Sequence, residues 1–407
     1  MNYSLEVKSP SYNFTIFLMI LLVTLAKFSI NLGFSLKPYM IFLLLFIVIH
    51  VSSFYFHKLQ SFEIAMLMFY FVYSYTGAFA LHPESSLRIL LGITLYLFCY
   101  FVMKSILSQT KTPIVEMVIG NVGIIFNMMS LFLYFMGLKS ATIAFEDERI
   151  ASYGVLIDRH YPRLIGLLQD PNFYVFYNTL FFAYYLCNPN SWKNRIGLVL
   201  CIATNLLTFS RGGLLALVIM FVVYLSLNNP IKQLKIALSL LVSLLLLIYF
   251  SIVYLKFDVM GIIEARVNDF SNDGGSGRFE LWGRAWDFFA SNIFMGVGAF
   301  NFSDYNTFLY GDSLTVHNTF LDILSESGLL GFSFYLAFIL LVFLKLIKEN
   351  VHHHKPYLFL TYIGYVLQMV SLSVIINDMF FMYIAILSTY LLNREKLRKT
   401  GDQALNQ

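Results

Sequence analysis

The chain has 407 residues, of which 58% are hydrophobic and 12% charged, and its mean hydropathy is +0.72. That balance excludes a soluble globular protein. The formal charge of +4 is scattered over short basic segments, which excludes a basic nucleic-acid-binding face.

Apolar runs of ~20 residues are long enough to cross a bilayer as helices. They recur along the whole sequence, so the fold class expected is an all-α polytopic membrane protein with about twelve transmembrane helices. The candidate spans are roughly 13–35, 38–56, 62–81, 88–107, 114–137, 172–187, 195–210, 212–228, 234–254, 327–347, 356–375 and 377–393. The first contains Lys27 and lacks a cleavable signal pattern, so it reads as a retained span. In 195–228, Arg211 interrupts what reads as a bent hairpin. Cys99, Cys187 and Cys201 all lie in apolar segments and read as packing residues, neither a disulfide framework nor a metal site.

Lysine and arginine in the short loops set the orientation. With a cytoplasmic N-terminus, Lys58, Lys104, Lys111, Lys193, Arg195, Lys232, Lys235, Lys345, Lys348 and Lys355 fall inside. The short outer loops then hold Lys37, Arg88 and Arg211. Residues 1–407 therefore read as one integral membrane domain with both termini cytoplasmic, the tail 394–407 included. Two long loops, about 138–171 and 255–326, lie on the outer face, the second expected to hold amphipathic helices and the catalytic elements.

This orientation gathers the candidate chemistry outside, where nucleotide substrates are normally absent. The first element is the run from Arg163 to Asn172, in which Asp170 caps a helix opened by Pro171. The second is Thr208-Phe209-Ser210-Arg211-Gly212-Gly213. An arginine between apolar segments needs water, a partner or a ligand. It reads as a headgroup anchor or as a phosphate clamp, since its planar fork of donors matches phosphate oxygens. The glycines let the backbone turn and a ligand approach.

The third element begins at Arg278. Phe279, Trp282, Trp286 and Phe289 recur every three or four residues, while Glu280, Arg284 and Asp287 point elsewhere. Such a helix lies in the membrane interface, aromatic side down, behind a flexible entry at Gly274, Gly275 and Gly277. It anchors the loop, carries Arg278 over a lipid headgroup, or does both.

The fourth is Val316-His317-Asn318-Thr319-Phe320-Leu321-Asp322 and onward to Glu326. An imidazole with an unperturbed pKa near ~6.5 suits a general base, although a capping histidine has the same local sequence. Asn318 and Thr319 are equally able to cap, and Asp322 and Glu326 share one helix face. His352, His353 and His354 read as a solvated cytoplasmic loop.

Together these pieces resemble the O-antigen ligase and polymerase superfamily. The resemblance rests on the arginine-to-DPN segment at 163–172, SRGG at 210–213 and GRFELWGRAW at 277–286. GVGAFNF at 296–302 and HNTFLDILSESGLLG at 317–331 complete it, in order and around a large late loop. It covers roughly residues 160–335, and the N-terminal spans match only in being membrane helices.

The resemblance implies a glycosyltransferase on the outer face of the bacterial cytoplasmic (inner) membrane. It would take a glycan from undecaprenyl pyrophosphate and pass it to an acceptor glycan or glycolipid. Arg211 and Arg278 would hold the pyrophosphate and His317 would activate the acceptor hydroxyl. Arg163, Asn172, Arg284, Asn318, Asp322 and Glu326 are the further candidate substrate-binding residues. No cofactor or metal is expected, since arginines can neutralise the departing pyrophosphate. The expected partners are the lipid-linked glycan, the acceptor, the bilayer, a flippase and a chain-length regulator.

The favoured activity is polymerisation of lipid-linked oligosaccharide repeats into O-antigen or capsular polysaccharide, with inversion at the anomeric carbon. The first alternative is a ligase that moves the finished glycan to lipid A core. The second, from another class, is a polysaccharide transporter or flippase without chemistry. Transporters usually carry polar groups near the midplane, whereas here the charges cluster on one face and few lie at mid-span apart from Lys27.

Overall fold

In the computed structural model, which describes residues 13–31, 35–140, 150–158, 161–253 and 277–405, proline opens helix after helix. Pro38, Pro83, Pro171, Pro230 and Pro356 stand at helix starts. A missing N–H costs nothing in the first turn, and the ring presets φ.

The order is α1 (Asn13–Thr24), a minimal hairpin of β1 (Ile30–Asn31) and β2 (Ser35–Leu36), α2 (Pro38–Ile49), α3 (Ser61–Thr76), α4 (Pro83–Ser108) and α5 (Thr112–Ser140). Strands β3 (Ile150–Ser152), β4 (Val155–Asp158) and β5 (Tyr161–Leu164) follow, then α6 (Pro171–Cys187), α7 (Trp192–Leu207), α8 (Arg211–Ser226) and α9 (Pro230–Val253). The last helices are α10 (Arg278–Ser291), α11 (Phe302–Tyr310), α12 (Thr319–Lys348), α13 (Val351–His354), α14 (Pro356–Met369) and α15 (Asp378–Leu405).

The chain is mostly helical and polytopic, but four expectations change. First, Ser61–Phe79, Pro83–Ser108, Thr112–Ser140 and Thr319–Lys348 are the described helices long and apolar enough to cross a membrane. At ~1.5 Å per residue, the 12 residues of α1 or α2 rise short of the ~30 Å hydrocarbon layer. A count of about twelve crossings therefore does not follow from helix length.

Second, Lys27 lies beyond the end of α1, where its Nζ donates to the Tyr153 carbonyl at 2.6 Å. Third, the fold is not purely helical. Strands β3, β4 and β5 form an antiparallel sheet with Leu156 opposite Arg163. A two-residue turn at Tyr153 and Gly154, with Tyr153 at φ 47°, makes the first hairpin. Fourth, the three histidines at 352–354 form one helical turn. The entry residues Gly274 and Gly275 lie outside the described residues, whereas Gly277 caps α10 at φ 70°.

Val48, Phe71, Phe132, Leu215, Leu245 and Leu340 are exposed. Such large apolar residues on several helices make a coat suited to lipid rather than water. Inside, α6 is sandwiched by α7 and α14, and α3 packs along α12. Polar residues hold helices together there. Asn127 and Asn178 exchange amide hydrogen bonds of 3.0 Å, and Thr204 donates to Asn127. Cys201 joins this network, and all three cysteines are free thiols. Interhelical bonds of this kind stabilise helix pairs where burial in lipid gives no hydrophobic drive.

One break positions the site. Gly328 in α12 has φ 59° and ψ −162°, outside helical values. The exposed backbone is met by the segment after α10: Val297 N donates to Ser325 O at 2.9 Å and Gly298 N to Glu326 O at 2.9 Å. In return Leu329 N donates to Ile293 O at 2.8 Å. The glycines of the GVGAF run thus have a structural cause. A Cβ on Gly296 would stand 2.4 Å from Ser325 O, and one on Gly298 2.5 Å from Ala80 Cβ. Buried irregular backbone persists only when its polar groups are satisfied by protein.

Candidate active site

Three arginines from three elements meet. Arg163 rides on β5, Arg211 opens α8 and Arg278 opens α10. Arg163 Nε donates to the Thr208 carbonyl at 3.0 Å, which ties β5 to the turn before Arg211. In that turn Phe209 has φ 50°, a conformation costly for a bulky residue. Ser210 caps α8 and donates to Asn172 Oδ1 at 2.7 Å. Asp170 caps α6, accepting from Asn172 N at 2.7 Å and Phe173 N at 3.3 Å. Residues 163, 170, 172 and 210 therefore form one tied layer.

Arg278 belongs to that layer electrostatically. Burial, then the charge of Arg211, pull its guanidinium below its ordinary pKa. Asp170 opposes the shift and Arg163 adds to it. Cations influence one another this way only when close. Three guanidiniums beside one carboxylate favour a polyanionic ligand, and their forks match phosphate oxygens.

His317 sits at φ 55°, the left-handed region, at the mouth of α12. Asn318 caps this helix, its Oδ1 accepting from Phe320 N at 3.0 Å and Leu321 N at 3.2 Å. The cap role thus falls to Asn318, and His317 stands half-buried just before it. Trp282 Nε1 donates to the Val316 carbonyl at 3.1 Å. Trp282 lies one turn after Arg278 on the same helix face, so this bond ties the helix that Arg278 opens to the residue before His317. Val316 is sealed in a small core with Ala285, Phe288, Val297 and Phe302. On α10, Phe279 and Trp286 remain exposed, free for a membrane interface, whereas Phe289 is buried.

The connection between α14 and α15, residues 370–377, joins the arginine and histidine halves. Thr319 Oγ1 donates to Leu372 O at 2.6 Å and accepts from Val374 N at 3.0 Å. The same connection meets the start of α8, where a Cβ on Gly212 would stand 2.6 Å from Ser371 Oγ. A Cβ on Gly213 would stand 2.8 Å from the Val175 side chain. The paired glycines after Arg211 therefore make room for protein rather than for ligand.

Glu326 and Asp322 behave differently. Tyr73 OH donates to Glu326 Oε2, and Phe302 N donates to Oε1 at 3.1 Å. Tyr73 OH also accepts from Phe300 N at 3.1 Å. Glu326 is thus consumed in holding the 300–302 turn. Asp322 is buried, and its Oδ2 makes no hydrogen bond of good geometry among the described residues. Arg284 also turns inward: Nη1 donates to Asn306 Oδ1 at 2.8 Å and pairs with Asp312 at 3.1 Å, while Nη2 pairs with Glu280. Its guanidinium stacks over Tyr310 at 4.3 Å. It braces α10 against α11, and the arginine layer is built from residues other than it.

Beside this region lies a cavity of about 680 Å³, lined by Asp170, Thr315, Asp322 and Ser373. Lys37 lies on its wall, paired with Asp378 at 2.5 Å; Tyr39 and Tyr177 also donate to Asp378, at 2.8 and 2.6 Å. Neither this cluster nor residues 370–377 figured among the sequence candidates. The only sequence signals were an acidic residue at the start of an apolar segment and a polar Ser-Leu-Ser run between two of them.

No curated protein matches the chain. Residues 196–336 match the family model described as O-antigen ligase. The matched span takes in Arg211, Arg278, His317, Asp322 and Glu326, whereas Arg163, Asn172 and Lys37 precede it. Residues 196–336 are thus similar to the O-antigen ligase domain, which places that part of this multi-pass membrane protein with the O-antigen ligase/polymerase superfamily, a family that implies lipid-linked glycan substrates.

Proposed function

We propose that the protein is a repeat-unit polymerase. It joins undecaprenyl-pyrophosphate-linked oligosaccharides on the outer face of the bacterial cytoplasmic membrane, with both termini cytoplasmic. The observation that carries this reading is the tied layer of Arg163, Arg211 and Arg278 beside the His317 turn. Arg211 and Arg278 hold the donor pyrophosphate, with Arg163 as the third cation. His317 takes the proton of the acceptor hydroxyl as that oxygen bonds to the donor's anomeric carbon. The bond from that carbon to the pyrophosphate oxygen breaks, and the carrier leaves with the electron pair. Attack opposite the leaving group inverts the anomeric centre. Charge grows on the pyrophosphate as it leaves, and preorganised guanidiniums stabilise it there.

The ligase reading shares the fold, the donor and these residues; only the acceptor separates the two. A surface-glycan gel from cells lacking the protein, complemented with wild type or His317→Ala, tests both. Loss of the ladder with single repeats still reaching the final acceptor supports the polymerase. Long chains held on the carrier support the ligase. A wild-type ladder from well-expressed His317→Ala sinks the catalytic reading and favours transport.

A further inference from the structure

The cavity beside the candidate site is unlike the arginine layer. Asp322 Oδ2 and Ser373 Oγ both lie on its wall, both are buried, and neither makes a hydrogen bond of good geometry among the described residues, although the Ser373 hydroxyl faces the Asp322 carboxyl. Native structures rarely leave buried polar atoms unpaired, and such atoms call for a function. Asp322 is 4% exposed, so bulk water does not serve it freely. Gln169 and Asn377 add amides to the same wall, and Phe173 and Phe300 add ring faces. Phe300 is held at φ 56° by the bond from its N–H to Tyr73 OH, a strained posture on the cavity's edge.

This lining has carboxylate, hydroxyl and amide groups alternating with aromatic faces. An apolar chain would strand the polar atoms of this wall. A hydroxyl-rich ring system satisfies them, since each sugar hydroxyl donates and accepts. The volume falls within the range of small-molecule sites.

We infer that this cavity is a saccharide subsite, in which Asp322 and Ser373 receive hydroxyls of the acceptor glycan. The inference rests on the glycosyl-transfer reading above and deepens it. The acceptor side is assigned because the lining includes Thr315, two residues before His317, and because Asp322 N bonds the Asn318 carbonyl at 2.8 Å, one turn into α12. Much of the wall, including Lys37, Gln169, Phe173, Ser373 and Asn377, lies outside the matched residues 196–336. Acceptor choice is then shared between the family domain, which supplies Asp322, and parts of the chain outside it, which supply Ser373.

The test uses the full chain in lipid nanodiscs. The probe is the oligosaccharide repeat released by mild acid from the producing cells, free of lipid and pyrophosphate. Saturation-transfer NMR and calorimetry measure its binding to wild type, Asp322→Asn, Ser373→Ala and Arg278→Ala. Expected is about tenfold weaker binding for Asp322→Asn and a smaller loss for Ser373→Ala, with unfolding temperatures unchanged in both. Arg278→Ala should bind the carrier-free sugar as wild type does, but lose affinity for the same repeat on its polyprenyl pyrophosphate. Unchanged sugar binding in both cavity variants overturns the inference, and so does a fall in unfolding temperature that accounts for the weaker binding. If the cavity variants lose the sugar while His317→Ala retains a full ladder, the subsite stands and the catalytic reading falls.

Discussion

Trp282 donates its indole N–H to the carbonyl of Val316 at 3.1 Å, so the helix that opens with Arg278 is fastened to the residue preceding His317. One bond thereby couples the expected donor clamp to the expected base. Trp282→Phe keeps the ring packing and removes the donor. A neutral hydrogen bond contributes ~1 kcal/mol to stability, so the unfolding temperature should fall slightly. Transfer should fall more, by roughly tenfold, because misplacement by about 1 Å weakens catalysis disproportionately. Equal losses in Trp282→Phe and in a stability-matched variant remote from the site would argue against this coupling.

Arg211→Lys and Arg278→Lys should each lower polymer formation by ~10²-fold or more, since a point charge lacks the bidentate fork. His317→Ala should cost ~10²–10⁴-fold, the range of general-base catalysis. Arg284→Lys should affect stability more than turnover, because its partners Glu280, Asn306 and Asp312 are internal. Quantified glycan ladders, normalised to protein in the membrane, check all four.

Thr319→Val removes the donor to Leu372 O and the acceptor for Val374 N, both buried. Stranded buried backbone groups cost ~1–3 kcal/mol each. Thermal unfolding in detergent should report a loss of that order, and Thr319→Ser should recover most of it.

Asp378 is fully buried and takes bonds from Lys37, Tyr39 and Tyr177. Lys37→Met should destabilise by about 3–5 kcal/mol, because it strands a buried charge. Lys37→Met combined with Asp378→Asn should be milder than Lys37→Met alone. A double variant as unstable as the sum of the singles would show that the two residues do not act as a pair.

His57 bonds Ser108 Oγ at 2.6 Å, and burial, then Lys396 and Lys104, lower its pKa. The folded protein therefore favours neutral imidazole, while the unfolded chain takes up a proton near ~6.5. Stability is full above that value and is lost as pH falls through it. Unfolding temperatures at pH 7.5 and 5.5 should differ more for wild type than for His57→Gln.

The membrane class, the helical segments and several caps were legible because they are local. Apolar runs report on solvent, and Asp170-Pro171 reports on the first turn of one helix. Arg211, Arg278 and His317 were legible as residue types that apolar surroundings would reject without a purpose. The β3–β4–β5 sheet was hidden because its strands are only 3 or 4 residues long, too short for an alternation to stand out. Crossing number does not follow from hydropathy alone, which runs on where the helices stop, as between Thr24 and Pro38.

By itself, then, the sequence determined that the chain lives in lipid and which residues have chemistry to offer there, since solvent preference and side-chain type are properties of single positions. Only the tertiary structure decided their partnerships. It folds Arg284 inward, consumes Glu326 on Tyr73 and leaves Asp322 facing a cavity. It also brings Thr319 onto Leu372 across 53 positions. Such pairings depend on how distant helices pack, and no local pattern encodes them.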